Sequence, residues 1–80
     1  MTTIQHIKNI VKYHRKKAGL SQKGLADISG VGKTVVFDIE KGKETVQLKS
    51  VVKIFEALNI KIQFDSPLID TFNSEPHEKS

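Results

Sequence analysis

Residues 20–42, LSQKGLADISGVGKTVVFDIEKG, constrain the fold of this chain more than any other stretch. Ser21 precedes an amphipathic segment, and its hydroxyl can cap a helix by accepting from the free amides of the first turn. Leu25, Ala26 and Ile28 are expected to form the buried side of that helix. The stretch therefore begins with a short helix whose start is fixed by sequence.

A glycine-containing turn at residues 29–32 ends this helix, and a second helix is predicted over Lys33–Lys41. Gly42 ends the second helix, whose inward side is expected to carry Val36 and Ile39. Two short helices joined by such a turn are typical of a helix-turn-helix, in which the second helix lies in the major groove of DNA.

Two further helices are predicted beside this pair. Apolar residues at helical spacing predict a first helix over Thr3–Lys17 and a fourth over about residues 47–58. The expected inward residues are Ile4, Ile7, Ile10, Val11, Tyr13 and His14 in the first helix, and Leu48, Val51, Val52, Phe55 and Leu58 in the fourth. The chain is thus predicted to be mostly α-helical, with four to five helices around one small core.

Residues 60–64, IKIQF, alternate strictly and predict a β-strand that places Ile60, Ile62 and Phe64 on one side. Every other long segment is predicted to be helical, so this strand lacks a partner within the chain. We therefore expect it to pair with the same strand of a second copy, which gives a homodimer. The predicted domain covers residues 1–65 and includes this dimerisation strand.

Residues 66–80 are polar and acidic and are expected to form a flexible tail. An alternative is that its apolar cluster, Leu68, Ile69 and Phe72, docks onto a partner protein.

The charge distribution favours a polyanionic partner. Residues 1–64 have a net charge of +7, whereas residues 65–80 have a net charge of −3. A basic body of this kind suits DNA, whose phosphates supply much of the binding free energy. A lysine-rich surface that only confers solubility is the alternative.

Other function classes find little support in the 80 residues. The chain has no cysteine, no apolar run near the ~20 residues of a membrane span, and no apolar signal-peptide core at its N-terminus, so a cytoplasmic location is expected. The three histidines, His6, His14 and His77, lack a second ligand at metal spacing. We predict no metal site, no cofactor and no enzymatic activity.

The second helix of the pair has an unusual outward side that combines cations, a hydroxyl and a phenyl ring, all groups that can meet bases or phosphates. Phe37 has two equally weighted interpretations: it packs on thymine methyl groups, or it rests on a neighbouring loop. The predicted DNA-contacting residues are Gln22, Gly32, Lys33, Thr34, Phe37, Lys41 and Lys43.

Arg15 is the only arginine among thirteen basic residues, which suggests a role that lysine cannot fill. A bidentate pair with a buried carboxylate is the best candidate, and Glu40 is the best partner because it lies in an otherwise apolar turn. Chance placement is the alternative.

The LSQ opening, the LA pair, the GV turn and the closing IEKG of residues 20–42 resemble the Xre/lambda-repressor family of helix-turn-helix proteins. The resemblance implies a structural Arg15–Glu40 pair, a Gln22 that contacts phosphate and braces the recognition helix, and base contacts by Lys33 and Thr34. The chain departs from the family pattern at Lys23-Gly24, Gly32 and Val35, which bears on DNA sequence preference and not on fold.

Residues 45–64, TVQLKSVVKIFEALNIKIQF, resemble the HipB-type antitoxins within this family. That resemblance implies dimerisation through the strand, repression of the protein's own operon, and binding of a HipA-like serine/threonine kinase toxin. The predicted function is thus a dimeric, operator-binding repressor and antitoxin. The alternatives are a protein-interaction module with secondary DNA binding and a regulator of the same family without a toxin.

Overall fold

The computed structural model describes residues 2–76 and contains five α-helices in this part of the chain. They are α1 (Thr3–Lys17), α2 (Gln22–Ser29), α3 (Lys33–Lys41), α4 (Leu48–Ala57) and α5 (Ile69–Ser74). The predicted limits of α1 and α3 are those observed, and α4 is one residue shorter at each end than predicted. The mostly helical fold class is confirmed.

Local hydrogen bonds explain where α1 and α2 begin. At the start of α1, the Gln5 amide donates to the Thr2 hydroxyl and the Thr2 amide donates to the Gln5 side-chain oxygen, both at 3.1 Å. This reciprocal arrangement satisfies two amides that would otherwise lack a partner. At α2, the Ser21 hydroxyl accepts from the Gly24 amide at 2.9 Å. Both starts are therefore encoded within four residues of sequence.

The core lies among the first four helices. α3 packs against α1 and α2, and α2 also packs against α4. Each of these helices contributes apolar side chains to one buried cluster: Val11, Leu25, Ala26, Val36, Ile39, Ile54 and Phe55. On α3, Val36 and Ile39 are buried as predicted, so the opposite side of this helix faces solvent.

Two side chains predicted to be buried are exposed because their positions lie on the wrong side of the helix. Ile28 is 57% exposed, and it follows the buried Ala26 by two residues. Two residues correspond to a rotation of about 200°, so Ile28 points nearly opposite to Ala26. Tyr13 is exposed for the same reason, since it follows the buried Val11 by two residues.

The buried side of α4 is rotated from the predicted one. Ile54 is fully buried although it was not predicted to be, whereas Leu48 is 74% exposed. Ile54 and Phe55 belong to the core, and Val51 and Leu58 pack against it. This rotation leaves Leu48 at the edge of the buried side of α4. Leu48 instead borders a shallow apolar groove with Ile4, Ile7 and Val51.

Residues 60–66 have no regular secondary structure, and no strand forms within the described residues. Ile60 packs against the core, whereas Ile62 and Phe64 are exposed. Pairing of residues 60–64 with a second copy therefore stays a prediction.

Part of the predicted tail is helical, since α5 occupies residues 69–74. The end of the tail at residues 77–80, including His77, lies outside the described residues. None of the helices in residues 2–76 is both long and apolar enough to cross a membrane.

Candidate nucleic-acid interface

The turn between α2 and α3 fixes how the second helix is presented. Gly30 has φ 76°, a left-handed conformation that favours glycine, and its amide donates to the Ala26 carbonyl at 2.9 Å. Val31 then packs against the core. Gly32 is extended, with φ −71° and ψ 150°, and α3 begins at the next residue. Because both ends of the turn are anchored, α3 has a defined direction relative to α2.

The outward side of α3 has an unusual composition. Lys33, Thr34, Phe37 and Lys41 are all exposed, on the side opposite the buried Val36 and Ile39. Residues three and four apart are neighbours on a helix surface, so these four side chains form one continuous patch. We call Lys33, Thr34, Phe37 and Lys41 the α3 face.

An aromatic ring lies within the α3 face. Phe37 is 45% exposed, and the Lys41 ammonium lies 5.1 Å from the centroid of its ring. An ammonium at this distance is attracted to the electron-rich ring face. The ring is thereby paired with a cation of its own helix, and part of it stays open to solvent.

A nearly buried ion pair fixes α3 from behind. The Arg15 Nε donates to Glu40 Oε2 at 2.6 Å and its Nη2 donates to Oε1 at 2.9 Å, while Nη1 donates to the Leu20 carbonyl at 2.8 Å. The side chains of Arg15 and Glu40 are only 11% and 4% exposed. The bidentate geometry is specific to a guanidinium, and it joins α1 to the last turn of α3.

Gln22, at the start of α2, extends this ion pair into a three-residue network. Its side-chain nitrogen donates to Glu40 Oε1 at 3.3 Å. The hydrogen bond with Glu40 raises the pKa of Arg15 above its usual value, although burial acts in the opposite direction. The Gln22 side-chain nitrogen carries two hydrogens. One is directed to Glu40, which leaves the other for a second acceptor such as a DNA phosphate.

Lys43 has an internal partner. Its ammonium lies 3.5 Å from a carboxylate oxygen of Asp38, across the left-handed turn at Gly42. Lys43 remains exposed, so the pair lies at the surface beside the end of the α3 face. Gly32, also among the predicted contacts, is exposed at the start of α3 and offers no side chain to cap it.

Residues 11–64 match a protein-family model described as helix-turn-helix. The matched segment holds the whole of α2, the turn, α3 and α4. The chain belongs to this helix-turn-helix family.

Two relatives are similarly described. The chain is 34% identical over 58 residues to an uncharacterised helix-turn-helix-type transcriptional regulator of Sinorhizobium fredii, covering 72% of this chain and 76% of the relative. It is 39% identical over 57 residues to another such uncharacterised regulator, from Methanocaldococcus jannaschii, covering 71% of this chain and 86% of the relative. The chain is therefore a helix-turn-helix transcriptional regulator.

Solved structures support the fold. A HipB variant in a complex with an O2 20-mer superposes with a TM-score of 0.74 at 19% identity, over 84% of this chain and 93% of that one. A structure named MDT Protein gives the same TM-score and identity, over 84% and 94% of the two chains. The fold of this helix-turn-helix protein is HipB-like, which fits the subgroup suggested by residues 45–64.

The remaining predicted site residues follow the helix-turn-helix in the chain, and of these Ile60 packs against the core whereas Ile62 is exposed. Beyond α4, Phe64 is 77% exposed, and it borders a shallow apolar surface with residues of the tail. Those tail residues are Leu68, Ile69 and Phe72, the predicted partner-binding set. The structure thus brings the end of the predicted strand together with the apolar cluster of the tail. Both follow α4 in the chain, more than twenty residues after the α3 face.

Sequence reasoning missed two contacts around α3. Asp38 and Lys43 are five residues apart, a spacing that brings no two residues of a regular helix together, and only the left-handed Gly42 allows their contact. Phe37 and Lys41, by contrast, are four residues apart on one helix, so the ring–ammonium contact had a signal in the sequence.

Proposed function

We propose that this regulator is a cytoplasmic, dimeric, sequence-specific DNA-binding repressor, and that it serves as the HipB-like antitoxin of a HipA-like kinase. In this proposal α3 enters the major groove of an operator, and a second copy places its own α3 about 34–36 Å away, one helical turn along the DNA. Catalysis plays no part in it.

The observation that carries the DNA-binding part is the exposed α3 face on a helix that is held rigidly from behind. Lys33 and Thr34 lie at the start of α3, where a recognition helix contacts base edges. The ion pair between Arg15 and Glu40 limits how α3 can tilt. A rigid helix that presents cations and a hydroxyl suits sequence-specific recognition, because misplacement would break hydrogen bonds to bases.

The antitoxin part is supported by the likeness of residues 45–64 to HipB-type antitoxins and by the HipB-like fold. Repression of its own operon, neutralisation of a kinase and dimerisation through residues 60–64 follow from that likeness as proposals. A kinase-like gene next to the gene of this protein would support the pairing.

The test is selection of operator sequences from random double-stranded DNA, followed by affinity measurements with Lys33→Ala. Lys33→Ala should cost about 1–3 kcal/mol on the selected operator and much less on unrelated DNA, if Lys33 bonds to a base. Titration of labelled operator and labelled unrelated DNA at two salt concentrations measures the affinity loss on each DNA and the salt dependence of binding. An equal loss on all sequences, with a salt slope smaller by about one, would make Lys33 a phosphate contact.

Lys53→Ala is the matched control, because Lys53 is an exposed lysine on α4 and not on the α3 face. It removes the same charge and should leave operator affinity nearly unchanged. A wild-type protein that selects no sequence and shows no salt-sensitive DNA affinity would overturn the repressor proposal.

A second candidate function is a protein-interaction module with DNA binding secondary. It is favoured by the apolar surface of Phe64, Leu68, Ile69 and Phe72, most of which is open to solvent. Exposed apolar patches of this kind mark interaction sites. The same DNA selection separates the two candidates: a repressor should strongly enrich one operator sequence and bind it with salt-sensitive affinity, whereas a module with DNA binding secondary or lost should enrich none. A third reading, a regulator of this family without a toxin, differs in having no kinase to bind.

A further inference from the structure

Phe37 does not fit the ordinary composition of a helix surface. The other large apolar side chains of α3, Val35, Val36 and Ile39, are packed in or against the core, and Phe37 alone points outward. It lies in the middle of α3, four residues after Lys33 and four before Lys41. On a recognition helix this is a position from which a side chain meets the floor of the major groove.

The ring is held in place by its own helix. With the Lys41 ammonium 5.1 Å from the centroid, the ring has a charged neighbour on one side. The weak attraction of an exposed ammonium to an aromatic face favours this orientation of the ring. The ring therefore presents an apolar edge to solvent, and nearly half of its surface is exposed.

A phenyl ring can select only one kind of group in the major groove. It forms no hydrogen bonds with base edges, and it leaves their donors and acceptors without water when it covers them. The C5-methyl group of thymine is the apolar group on the major-groove edge of unmodified DNA. In modified DNA, 5-methylcytosine carries a methyl group at the same position of the ring.

We propose that Phe37, positioned by Lys41, recognises the C5-methyl group of a pyrimidine in each half-site, either thymine or 5-methylcytosine. This inference rests on the proposed DNA-binding function and adds the chemical group on the operator that Phe37 contacts. It adopts the first of the two interpretations of Phe37, contact with DNA. Lys41, which positions the ring, is itself an exposed member of the α3 face and would also be available to a DNA phosphate.

The experiment uses the full-length protein and an operator selected from random DNA. Each thymine of the operator is replaced in turn by deoxyuridine, which removes the methyl group and leaves the hydrogen-bonding edge unchanged. At one position per half-site we expect wild-type affinity to fall about fourfold, and about fifteenfold when both half-sites are changed, as for the loss of one buried methyl group. With Phe37→Ala the same exchange should have no effect.

A second arm distinguishes the two methyl sources. At the responsive position the base pair is changed to one containing cytosine or 5-methylcytosine. Wild-type protein should bind the methylated form about fourfold more tightly than the unmethylated form, and Phe37→Ala should bind both alike. The cytosines of the selected operator are also methylated one at a time. A responsive thymine identifies thymine as the natural source, and an operator in which only a cytosine responds identifies 5-methylcytosine.

Two further variants keep the result interpretable. Phe37→Gln removes the ring but keeps a longer side chain than alanine at a position that is only 45% exposed, so it serves if Phe37→Ala is poorly folded, and it should lose the deoxyuridine effect in the same way. Ile28→Ala removes another exposed apolar side chain, from α2 and away from the α3 face, and should keep the full deoxyuridine effect.

Two results would overturn the proposal without touching the DNA-binding function. One is an operator on which no deoxyuridine exchange and no cytosine methylation changes wild-type affinity. The other is an exchange that costs the wild type and the Phe37 variants equally. If the wild type selects no operator at all, the inference and the proposed function fail together.

Discussion

At the scale of single residues, the contact that matters most for this regulator is the Arg15–Glu40 pair. Both side chains are almost removed from water, and three hydrogen bonds leave the guanidinium toward Glu40 and the Leu20 carbonyl. A buried pair adds little relative to apolar residues of the same volume, but loss of one partner leaves the other charged and unsatisfied. The pair therefore works as a constraint on α3 more than as a source of stability.

Arg15→Met tests this constraint. We expect it to lower the free energy of unfolding by about 3 kcal/mol, because Glu40 keeps only the hydrogen bond from Gln22. The double variant with Glu40→Gln should lose less than the sum of the two single variants, since no buried charge remains. Urea unfolding followed by circular dichroism measures all three.

Lys23→Ala is the control for this experiment. It breaks the exposed pair between Lys23 and Asp27, whose atoms are 3.0 Å apart, and should cost under about 0.5 kcal/mol. An equal effect of Arg15→Met and Lys23→Ala would contradict the constraining role of Arg15.

The sequence predicted individual residues correctly where one unusual residue type pointed to a contact. It failed where the burial of a side chain depended on which side of its helix faces the core. A single arginine and an apolar turn around Glu40 suggested the pair that the structure contains. Ile28 and Tyr13 were misassigned because apolar character was given more weight than the angle between positions two residues apart. Which side of each helix is buried depends on how the helix packs against its neighbours, and a single sequence does not contain that packing.

At the scale of elements, helix limits were predictable and the end of the chain was not. The caps at Thr2 and Ser21 begin helices, and the left-handed glycines at residues 30 and 42 end them. These signals depend only on neighbouring residues, so they can be recognised in the sequence. α5 was missed because it has six residues and no side-chain cap at its start. The alternation of residues 60–64 is equally local, but a strand also needs a partner, and the proposed partner belongs to another molecule.

Proline substitution tests the proposed strand. Amides along a strand point alternately toward and away from the partner, so Lys61→Pro and Ile62→Pro are examined separately. Under two-fold symmetry one proline removes two hydrogen bonds, and one of the two variants should raise the dimer dissociation constant about thirtyfold. Analytical ultracentrifugation over a concentration series measures it, and operator binding should weaken in parallel.

Lys61→Ala keeps every amide of residues 60–64 and should dimerise like the wild type. If both proline variants remain as tightly dimeric as Lys61→Ala, the interface between copies lies elsewhere.

At the scale of the whole molecule, charge divides between two parts of the chain. The predicted DNA-binding residues lie in the basic part of the chain, whereas residues 65–80 have a net charge of −3 and carry exposed apolar side chains such as Leu68 and Phe72. A tail of this composition is disfavoured near DNA phosphates by its charge. The division suits a protein that contacts DNA with one end and another protein with the other.

Deletion of residues 66–80 tests this division. The deletion raises the net charge from +4 to +6. We expect operator affinity to be kept or slightly raised at low salt, because repulsion from phosphates is relieved. The free energy of unfolding should change little, since the buried cluster lies in α1–α4. Capture of a kinase encoded beside the gene should be lost.

The matched control keeps the tail and carries Asp70→Asn with Glu75→Gln. This variant also gains two units of charge and retains Leu68 and Phe72, so it should reproduce the effect on DNA while kinase capture persists. A deletion that weakens operator binding would contradict the assignment of DNA contacts to the body of the protein.

The shortness of α3 limits how much sequence information one copy can hold. Nine residues make a helix about 13 Å long, which lies along about four base pairs at ~3.4 Å each. Four base pairs occur by chance about once in 256 positions, whereas a genome offers on the order of a million competing sites or more. In the proposed dimer, two copies that together specify eight base pairs would still match about fifteen positions per million, and sequence-dependent flexibility of the DNA between the half-sites is one source of the remaining discrimination. With so short a recognition helix, the base pairs between the two half-sites would affect operator affinity even though the protein does not contact them.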